Sequence, residues 1–228
     1  MARVVKDADV RREELLDTAL ALFLEHGYER TSVEHITTAV GVAKGTFYHY
    51  FATKQELLEQ LVERFTDELF AEIEKALDAT GGTALDRFRA LVNASSGAKL
   101  GRKDETLMLT RSLYSDENRE LKSRLRDGWM ERTRPLIRSI VEQGNDEGTF
   151  DVPNAAAMTD VWLSIWYDYG MLVAELFFEA QDDPARMEPL VSAAQALVIA
   201  QERILGAAPG SLDMGMEAGL REFFEQEA

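Results

Sequence analysis

A short segment in the first quarter of the chain combines residue types that suit contact with nucleic acid. It holds a cation at Lys44, a glycine at Gly45 and a hydroxyl at Thr46, followed by aromatic rings with polar tips at Tyr48 and His49. Lys44 can reach a guanine edge or a phosphate, Gly45 lets the backbone approach closely, and Thr46 offers a methyl to thymine or a hydroxyl to phosphate. Tyr48 and His49 suit phosphate contacts. The segment therefore predicts a helix that reads the major groove of DNA.

Two further residues are candidates for phosphate contacts beside this segment. Lys54 stands at the start of a predicted long helix, where free backbone amides already favour an anion. The Ser32 hydroxyl is likewise at the start of a predicted helix, the first of the two short ones, and could also contact a phosphate. Taken singly, each candidate also has a structural explanation as a helix cap, a packing aromatic or a solvated lysine. Their joint order and spacing favour DNA binding.

The elements that must position these residues are two short helices around a glycine turn. Thr31-Ser-Val-Glu34 has the form of a capping box, in which the Thr31 hydroxyl satisfies an orphan amide and Glu34 reaches back. The first short helix then ends at Gly41. The second begins near Ala43 and ends around Tyr50, with Phe47 pointing inward. This pattern predicts a helix-turn-helix.

Apolar residues recur at spacings of three and four along nearly the whole chain, which predicts an all-α protein. We expect a DNA-binding head of three helices over residues 10–70, with a structural edge near 55. We expect a core of about six helices over 71–228 that binds ligand and dimerises. A long helix, opened by a second capping box at Thr53-Lys-Gln-Glu56 and reaching about residue 79, joins the two. Other predicted helices cover 10–26, 83–99, 104–114, 116–143, 153–180, 184–205 and 217–225, with breaks at 97–102, 144–150 and 181–183.

The head resembles the tetracycline-repressor (TetR) family over about residues 11–61. The resemblance is carried by Thr31-Ser32, Ile36, the run Gly-Val-Ala-Lys-Gly-Thr-Phe-Tyr-His-Tyr-Phe over 41–51, Lys54 and Leu57-Leu58. It implies an all-α homodimer with a variable helical core that binds a small molecule. It implies DNA contacts by Ser32, Lys44, Gly45, Thr46, Tyr48, His49 and Lys54, with Tyr50 and Phe51 locking the head.

Two residues depart from the family pattern. Thr37 stands where the family commonly has alanine, which tightens the packing slightly. Ala43 stands where serine is common, which removes a helix cap and a phosphate contact and leaves Lys44 and Tyr48 with more of the positioning.

The formal net charge of −16 argues against a nucleic-acid partner unless the charge is unevenly distributed. Residues 1–55 carry seven Lys or Arg against eight Asp or Glu, and the remainder carries 18 against 33. The nearly neutral first quarter is expected if only that part meets DNA. Arg3, Lys6, Arg11 and Arg12 could form a DNA-binding arm, although the carboxylates between them favour a disordered leader.

Composition excludes several classes of protein. The chain has no cysteine, so disulfides and thiolate chemistry are excluded. All three histidines (His26, His35, His49) lie in the head, so a soft-metal or Ser-His catalytic site is not expected in the core, while an Asp/Glu site for a hard cation stays open. Without a signal peptide or membrane span, we expect a cytoplasmic protein that needs no cofactor and is not an enzyme.

The segment 158–178 predicts a helix that is apolar almost all round. One face carries Trp162, Trp166, Tyr169, Val173 and Phe177, and the other carries Val161, Met171 and Phe178 among charged residues. Such a helix suits contact with both a ligand cavity and a partner subunit. A core helix with a dimer face and no cavity is the alternative.

Asp168 lies among aromatic residues, and this placement hints at a cation enclosed by rings. The alternative is a solvated carboxylate. The candidate ligand-binding residues are therefore Trp162, Trp166, Asp168, Tyr169 and Phe177, for a lipophilic effector with a cationic group as a further hypothesis.

The sequence favours a homodimeric transcriptional repressor that is released from a near-palindromic operator by a small-molecule effector. An activator of the same fold, or a regulator controlled by a protein partner, is the first alternative. A helical ligand-binding enzyme is more remote, because the core lacks a nucleophile and base.

Overall fold

The computed structural model describes residues 8–113, 118–213 and 215–225, and within them the chain is helical without a β-strand. This confirms the predicted all-α fold. None of the helices in the described ranges is long and apolar enough to cross a membrane. The helices are α1 (Ala8–His26), α2 (Val33–Val40), α3 (Lys44–Tyr50), α4 (Lys54–Ala79), α5 (Ala84–Gly101), α6 (Lys103–Leu113), α7 (Arg119–Glu147), α8 (Ala155–Asp182), α9 (Met187–Leu205) and α10 (Met216–Glu225), with a 3-10 turn at Pro184–Arg186. The predicted ends at 114 and 116, on either side of the break between α6 and α7, lie outside the described residues.

By packing, the chain divides into two compact units. The first is Met1–Glu72 with Ser95–Asp127, and the second is Ile73–Ala94 with Gly128–Ala228. Three helices, α4, α5 and α7, contribute residues to both units. The division of function at residue 70 therefore remains a prediction, since the first packing unit also takes in α6.

The first unit is built around the predicted inward stripe of α1. Leu15, Leu16, Ala19 and Phe23 are buried, whereas Leu20 and Leu22 pack partly buried against them. Each large apolar side chain removed from water contributes about 1.5–3 kcal/mol, so this cluster is a main source of the unit's stability. Other members of the cluster come from α2, α3, α4, α6 and α7: Ile36, Phe47, Leu57, Leu58, Leu61, Leu109 and Leu121.

The helix breaks predicted at 97–102 and 144–150 are present but begin later than predicted, at Arg102 and at Gly148. The helix α5 runs through Gly97 to Gly101, and α7 runs through Gly144 to Glu147. A glycine costs a helix only about 0.5–1 kcal/mol, which is too little to end a helix that tertiary packing supports. The third predicted break, at 181–183, shortens to Asp183, whose carboxylate caps the following 3-10 turn by accepting from the Ala185 N–H at 3.0 Å.

Gly144 is required for packing. Its carbonyl oxygen accepts hydrogen bonds from the N–H groups of Thr149 (2.8 Å) and Phe150 (3.0 Å), so the chain folds back over the end of α7. A Cβ atom at position 144 would lie 2.1 Å from Cδ2 of the buried Phe150 ring. The glycine is therefore explained by the close approach of an aromatic ring.

The second unit has its core along α7, α8 and α9. The two helices α8 and α9 pack against each other. Buried side chains from all three helices form the core, among them Ile137, Ile140, Trp162, Leu163, Leu190, Val191 and Leu197.

Candidate nucleic-acid interface

The start of α2 differs from the predicted capping box by one residue. Ser32 is the N-cap: its hydroxyl accepts from the His35 N–H (3.2 Å), and His35 Nδ1 accepts from the Ser32 N–H (3.4 Å). Thr31 is fully buried, and its hydroxyl donates to the Gly27 carbonyl oxygen at 2.9 Å. The capping role predicted for Thr31 and Glu34 is wrong. The Thr31 hydroxyl is bonded to Gly27, just after the end of α1. Ser32 and His35 form the capping box instead.

His35 is a residue that sequence reasoning missed. The usual capping box has Glu or Gln three residues after Ser or Thr, but an imidazole nitrogen is an equivalent acceptor. Because Nδ1 accepts from Ser32, the neutral ring carries its proton on Nε2. Both side chains are exposed, so the first turn of α2 offers a hydroxyl and a ring N–H to the surroundings.

The turn between α2 and α3 depends on Gly41, whose φ of 75° lies in the left-handed region. The Gly41 N–H donates to the Thr38 carbonyl oxygen (3.1 Å), and the Val42 N–H donates to that of Thr37 (2.9 Å). These bonds fix the direction in which α3 leaves α2. Thr37, which stands where the family commonly has alanine, is buried. Its hydroxyl donates to the Glu34 carbonyl oxygen at 3.2 Å, so this buried polar group has a hydrogen-bond partner.

The helix α3 has one buried face and one exposed face. Phe47 is fully buried as predicted, and its ring centroid lies 5.5 Å from that of Phe51. Tyr48 is 50% exposed, a large fraction for an aromatic ring. The structure thus brings five predicted DNA-contact residues together on one short helix: Lys44, Gly45, Tyr48 and His49 are exposed, and Thr46 is half-buried.

The fold itself does not require a glycine at position 45. A Cβ atom at Gly45 would have no heavy atom of the protein within 4 Å, and the residue has no positive φ. Ala43, the N-cap of α3, makes no side-chain capping bond, as its departure from the family's serine predicted. The start of α3 is thus bare and open, which suits close approach of another molecule.

Lys54 serves the packing of the head. Its ammonium donates to the carbonyl oxygens of Tyr28 (2.9 Å) and Thr31 (3.1 Å) and lies 4.1 Å from the centroid of the Tyr28 ring. It thereby ties the start of α4 to the connection between α1 and α2. A phosphate contact by Lys54 remains a prediction.

The basic residues near the N-terminus make ion pairs in α1. Arg11 pairs with Glu14 at 2.7 Å, and Arg12 pairs with Glu13 at 2.9 Å. Both arginines are therefore helical, whereas Arg3 and Lys6 of the predicted arm lie outside the described residues. Within α2 and α3, both of which are fully described, Lys44 is the one lysine or arginine.

The five candidate ligand residues all lie on α8 but differ in burial. Trp162 is buried and stacks on Trp166 with ring centroids 4.9 Å apart, whereas Phe177 contacts Phe224 at 5.3 Å. Tyr169 is half-buried and Asp168 is exposed. Its exposure gives no support to the hypothesis of an enclosed cation.

A cavity in the second unit has a different lining. Its volume is about 240 Å³, and none of the five candidate ligand residues contributes to it. The lining comes from α9, α10 and the segment between them: Gln195, Val198, Ile199, Glu202, Gly210, Asp213 and Glu217.

Two short helices around a left-handed glycine turn, with an exposed polar reading helix, define a helix-turn-helix DNA-binding protein. The sequence profile of the bacterial regulatory proteins of the tetR family matches residues 15–61. The chain is 32% identical over 181 residues to the HTH-type transcriptional repressor KstR2 of Mycobacterium tuberculosis H37Rv, covering 75% of this chain and 88% of that protein. Its KstR2 counterpart from Rhodococcus jostii RHA1 is 31% identical, with 70% and 81% coverage.

Solved structures agree with this relationship. A TetR/AcrR-family transcriptional regulator from Thermobifida fusca is 26% identical, with a TM-score of 0.51 and coverage of 70% of this chain and 86% of that one. The chain belongs to the tetR family. It is a DNA-binding transcriptional repressor and not an enzyme. Regulators of this family bind DNA operators and ligand effectors.

Proposed function

We propose that this repressor binds a near-palindromic operator as a homodimer and is released by a lipophilic small molecule. The observation that carries the proposal is the outward face of α3, where Lys44, Tyr48 and His49 are exposed around a glycine that the fold does not need. Ser32, Thr46 and Lys54 complete the proposed contact set. Because bacterial DNA lies in the cytoplasm, we expect the repressor to work there.

Exposed apolar side chains support the homodimer. Val161 and Leu172 of α8 are 45% and 43% exposed, and Ile199 of α9 is 47% exposed. Val161 and Leu172 are separated by about three helical turns and so lie on one side of α8, where an exposed apolar stripe suits contact with a partner subunit. Two copies joined there would present two α3 helices to successive major grooves.

Release requires that the effector favour a conformation in which the two α3 helices no longer match the half-site spacing. A thousandfold loss of operator affinity needs about 4 kcal/mol of differential effector binding. The helix α4 is the proposed lever, since it starts in the head at Lys54 and runs on to Ala79. A substitution near Ala79 should change induction while sparing operator affinity without effector.

The DNA-binding proposal is tested by selection from a random duplex library. Wild type should enrich one inverted repeat, and the double variant Lys44→Ala, Tyr48→Ala should lose it. Lys75→Ala, which removes an exposed lysine outside the head, is the matched control and should keep the repeat. Absence of enrichment by wild type at moderate salt, with protein refolded free of bound ligand, would contradict the proposal.

The dimer is tested separately by analytical ultracentrifugation. Val161→Glu with Leu172→Glu should shift the protein toward monomer, because charges cannot be buried unpaired in an apolar interface. Val10→Glu alters an apolar residue of α1 that is 51% exposed and should leave the association unchanged. Equal association of all three proteins would exclude the α8 surface.

A further inference from the structure

The cavity formed by α9, α10 and the segment between them is lined by carboxylates. Its described lining contains Glu202, Asp213 and Glu217 and no lysine or arginine. Its volume of about 240 Å³ lies below the roughly 300–1,000 Å³ of sites that take drug-sized ligands. The sign of the charge and the size of the cavity therefore suit a small cation.

Glu202 is a buried carboxylate without a counter-charge. It is 5% exposed, and within the described part of the chain it forms no ion pair. Its one hydrogen bond there comes from the Leu212 N–H to Oε1 at 3.0 Å. The Oε2 atom has no partner but is not sealed off from solvent, and the residue lines the cavity. Buried charges are ordinarily paired, so this oxygen is available to a cation that enters the cavity.

The other two carboxylates of the cavity differ in their partners. Glu217 pairs with Arg221, whose Nε lies 3.0 Å from Oε1, and its Oε2 accepts from Gln195 at 2.6 Å. Asp213 is exposed and accepts from the Gly215 N–H at 2.9 Å, but forms no ion pair with a described residue. The cavity therefore has two negative charges without a partner cation, one buried at Glu202 and one exposed at Asp213.

The backbone of residue 212 holds these two carboxylates near each other. The Leu212 N–H is bonded to Glu202, and Asp213 is the next residue, with its Cα about 3.8 Å from that of Leu212. A short alkyl chain with a charge at each end can therefore reach both. A metal ion fits less well, because it needs several oxygen ligands around one point, and the described residues contain no such group.

We propose that this cavity binds an aliphatic diamine, with one ammonium group at Oε2 of Glu202 and the other at Asp213. An ammonium group has three N–H donors and no acceptor, and its hydrogen bonds to a carboxylate are charge-assisted. The buried Val198 side chain offers apolar surface to the carbon chain. The site goes beyond the proposed function, since neither operator binding nor release by the lipophilic effector requires it.

The first test is isothermal titration calorimetry at low salt with butane-1,4-diamine and the neutral butane-1,4-diol, which have the same carbon chain. Wild type should bind the diamine at least tenfold more tightly. Glu202→Gln keeps an acceptor for the Leu212 N–H and removes the charge, so it should weaken diamine binding about tenfold. Asp213→Asn, at an exposed position, should weaken it about two- to fivefold. Binding of the diol should not change in either variant.

Glu175→Gln is the matched control for that titration. It removes an exposed carboxylate of α8 that does not line the cavity, so it changes the net charge as Glu202→Gln does. It should bind the diamine as wild type does. An equal loss in the two variants would mean that the diamine answers only to the net charge, and would overturn the proposal. Equal affinity of wild type for diamine and diol, including no binding of either, would also overturn it.

The second test measures Tm with and without the diamine. Without it, Glu202→Gln should melt at the wild-type temperature or higher, because the change removes a buried charge that has no counter-charge. The diamine should raise the Tm of wild type by mass action and leave that of Glu202→Gln nearly unchanged. A Tm of Glu202→Gln several degrees below wild type without diamine would mean that the fold itself neutralises Glu202, and would overturn the proposal.

Operator binding separates this inference from the proposed function. Wild type and Glu202→Gln should bind the selected inverted repeat equally well without diamine. If wild type binds the repeat and shows no preference for the diamine, the cation site is wrong and the operator-binding proposal stands. If wild type selects no repeat but prefers the diamine, the operator-binding proposal fails and the cation site stands.

Discussion

The ammonium group of Lys54 lies 2.9 Å from the carbonyl oxygen of Tyr28 and 4.1 Å from the centroid of the same residue's ring. Lys54, at the start of α4, thus contacts both the backbone and the ring of Tyr28 in the connection between α1 and α2. This relationship separates two lysines of the head that look alike in sequence, because Lys44 on α3 is exposed.

Replacing Lys54 by methionine should destabilise the protein. The change removes charged hydrogen bonds and a cation–π contact, so the free energy of unfolding should fall by about 1–3 kcal/mol. Urea unfolding followed by circular dichroism measures the change. Lys44→Ala is the control and should leave unfolding unchanged while reducing the slope of log K against log salt by about 1 per protomer. The reverse pattern would make Lys54 the phosphate ligand and Lys44 the structural residue.

Replacing His35 by glutamate should separate helix capping from DNA contact. Glutamate three residues after Ser32 completes the usual capping box, so the free energy of unfolding should be unchanged or slightly higher. The new charge would stand beside phosphate if the first turn of α2 faces DNA, and operator affinity should fall about tenfold or more.

His35→Gln is the neutral control for that experiment and should keep both the cap and most of the affinity. Fluorescence anisotropy with the selected operator measures the three proteins. Equal affinity of wild type and His35→Glu would show that the start of α2 points away from the duplex.

Alanine substitution of two helical glycines should have opposite effects on stability. Gly97→Ala meets no atom within 4 Å and should raise the free energy of unfolding by about 0.5–1 kcal/mol. Gly144→Ala would place its Cβ 2.1 Å from the Phe150 ring and should lower it by about 1–3 kcal/mol. Thermal unfolding of both variants checks the signs. A stabilised Gly144→Ala would mean that Phe150 moves freely off α7.

Asp86 should make stability depend on pH in the acid range. Its carboxylate accepts from the Thr83 backbone N–H (3.0 Å) and hydroxyl (2.8 Å), and these bonds lower its pKa below the ordinary value of 3.8. A lowered carboxyl pKa stabilises the fold above that ordinary value, and the stabilisation is lost as pH falls through the folded-state pKa. The difference in unfolding free energy between wild type and Asp86→Asn should therefore shrink from pH 6 to pH 3. A difference independent of pH would exclude the Thr83 bonds as its source.

The helix-turn-helix could be predicted from sequence because local rules fix it. Gly41 ends α2 through a conformation that glycine favours, and the apolar positions of α1 recur at helical spacing, so few alternatives remain. The error of one residue at the N-cap has a tertiary cause, because Thr31 bonds back to Gly27 at the end of α1. No pattern within 31–34 distinguishes the two hydroxyls.

The chain beyond the helix-turn-helix was less predictable for the same kind of reason. The breaks expected at 97–102 and 144–150 begin later than predicted because packing overrides the weak preference of glycine, and at Gly144 the packing partner is Phe150. The aromatic face of α8 was visible from its periodicity, but burial of Trp162 and exposure of Asp168 depend on which neighbours cover the helix.

Gly45 has a consequence for engineering. Alanine fits there without a contact and is the better helix former, so a screen for heat resistance alone would accept it. If α3 enters the major groove, the added methyl group would stand between backbone and base edges, and the sturdier protein would no longer silence its promoter. Stability and recognition thus select opposite residues at this one position, so any thermostabilised version should be ranked by promoter occupancy before melting temperature.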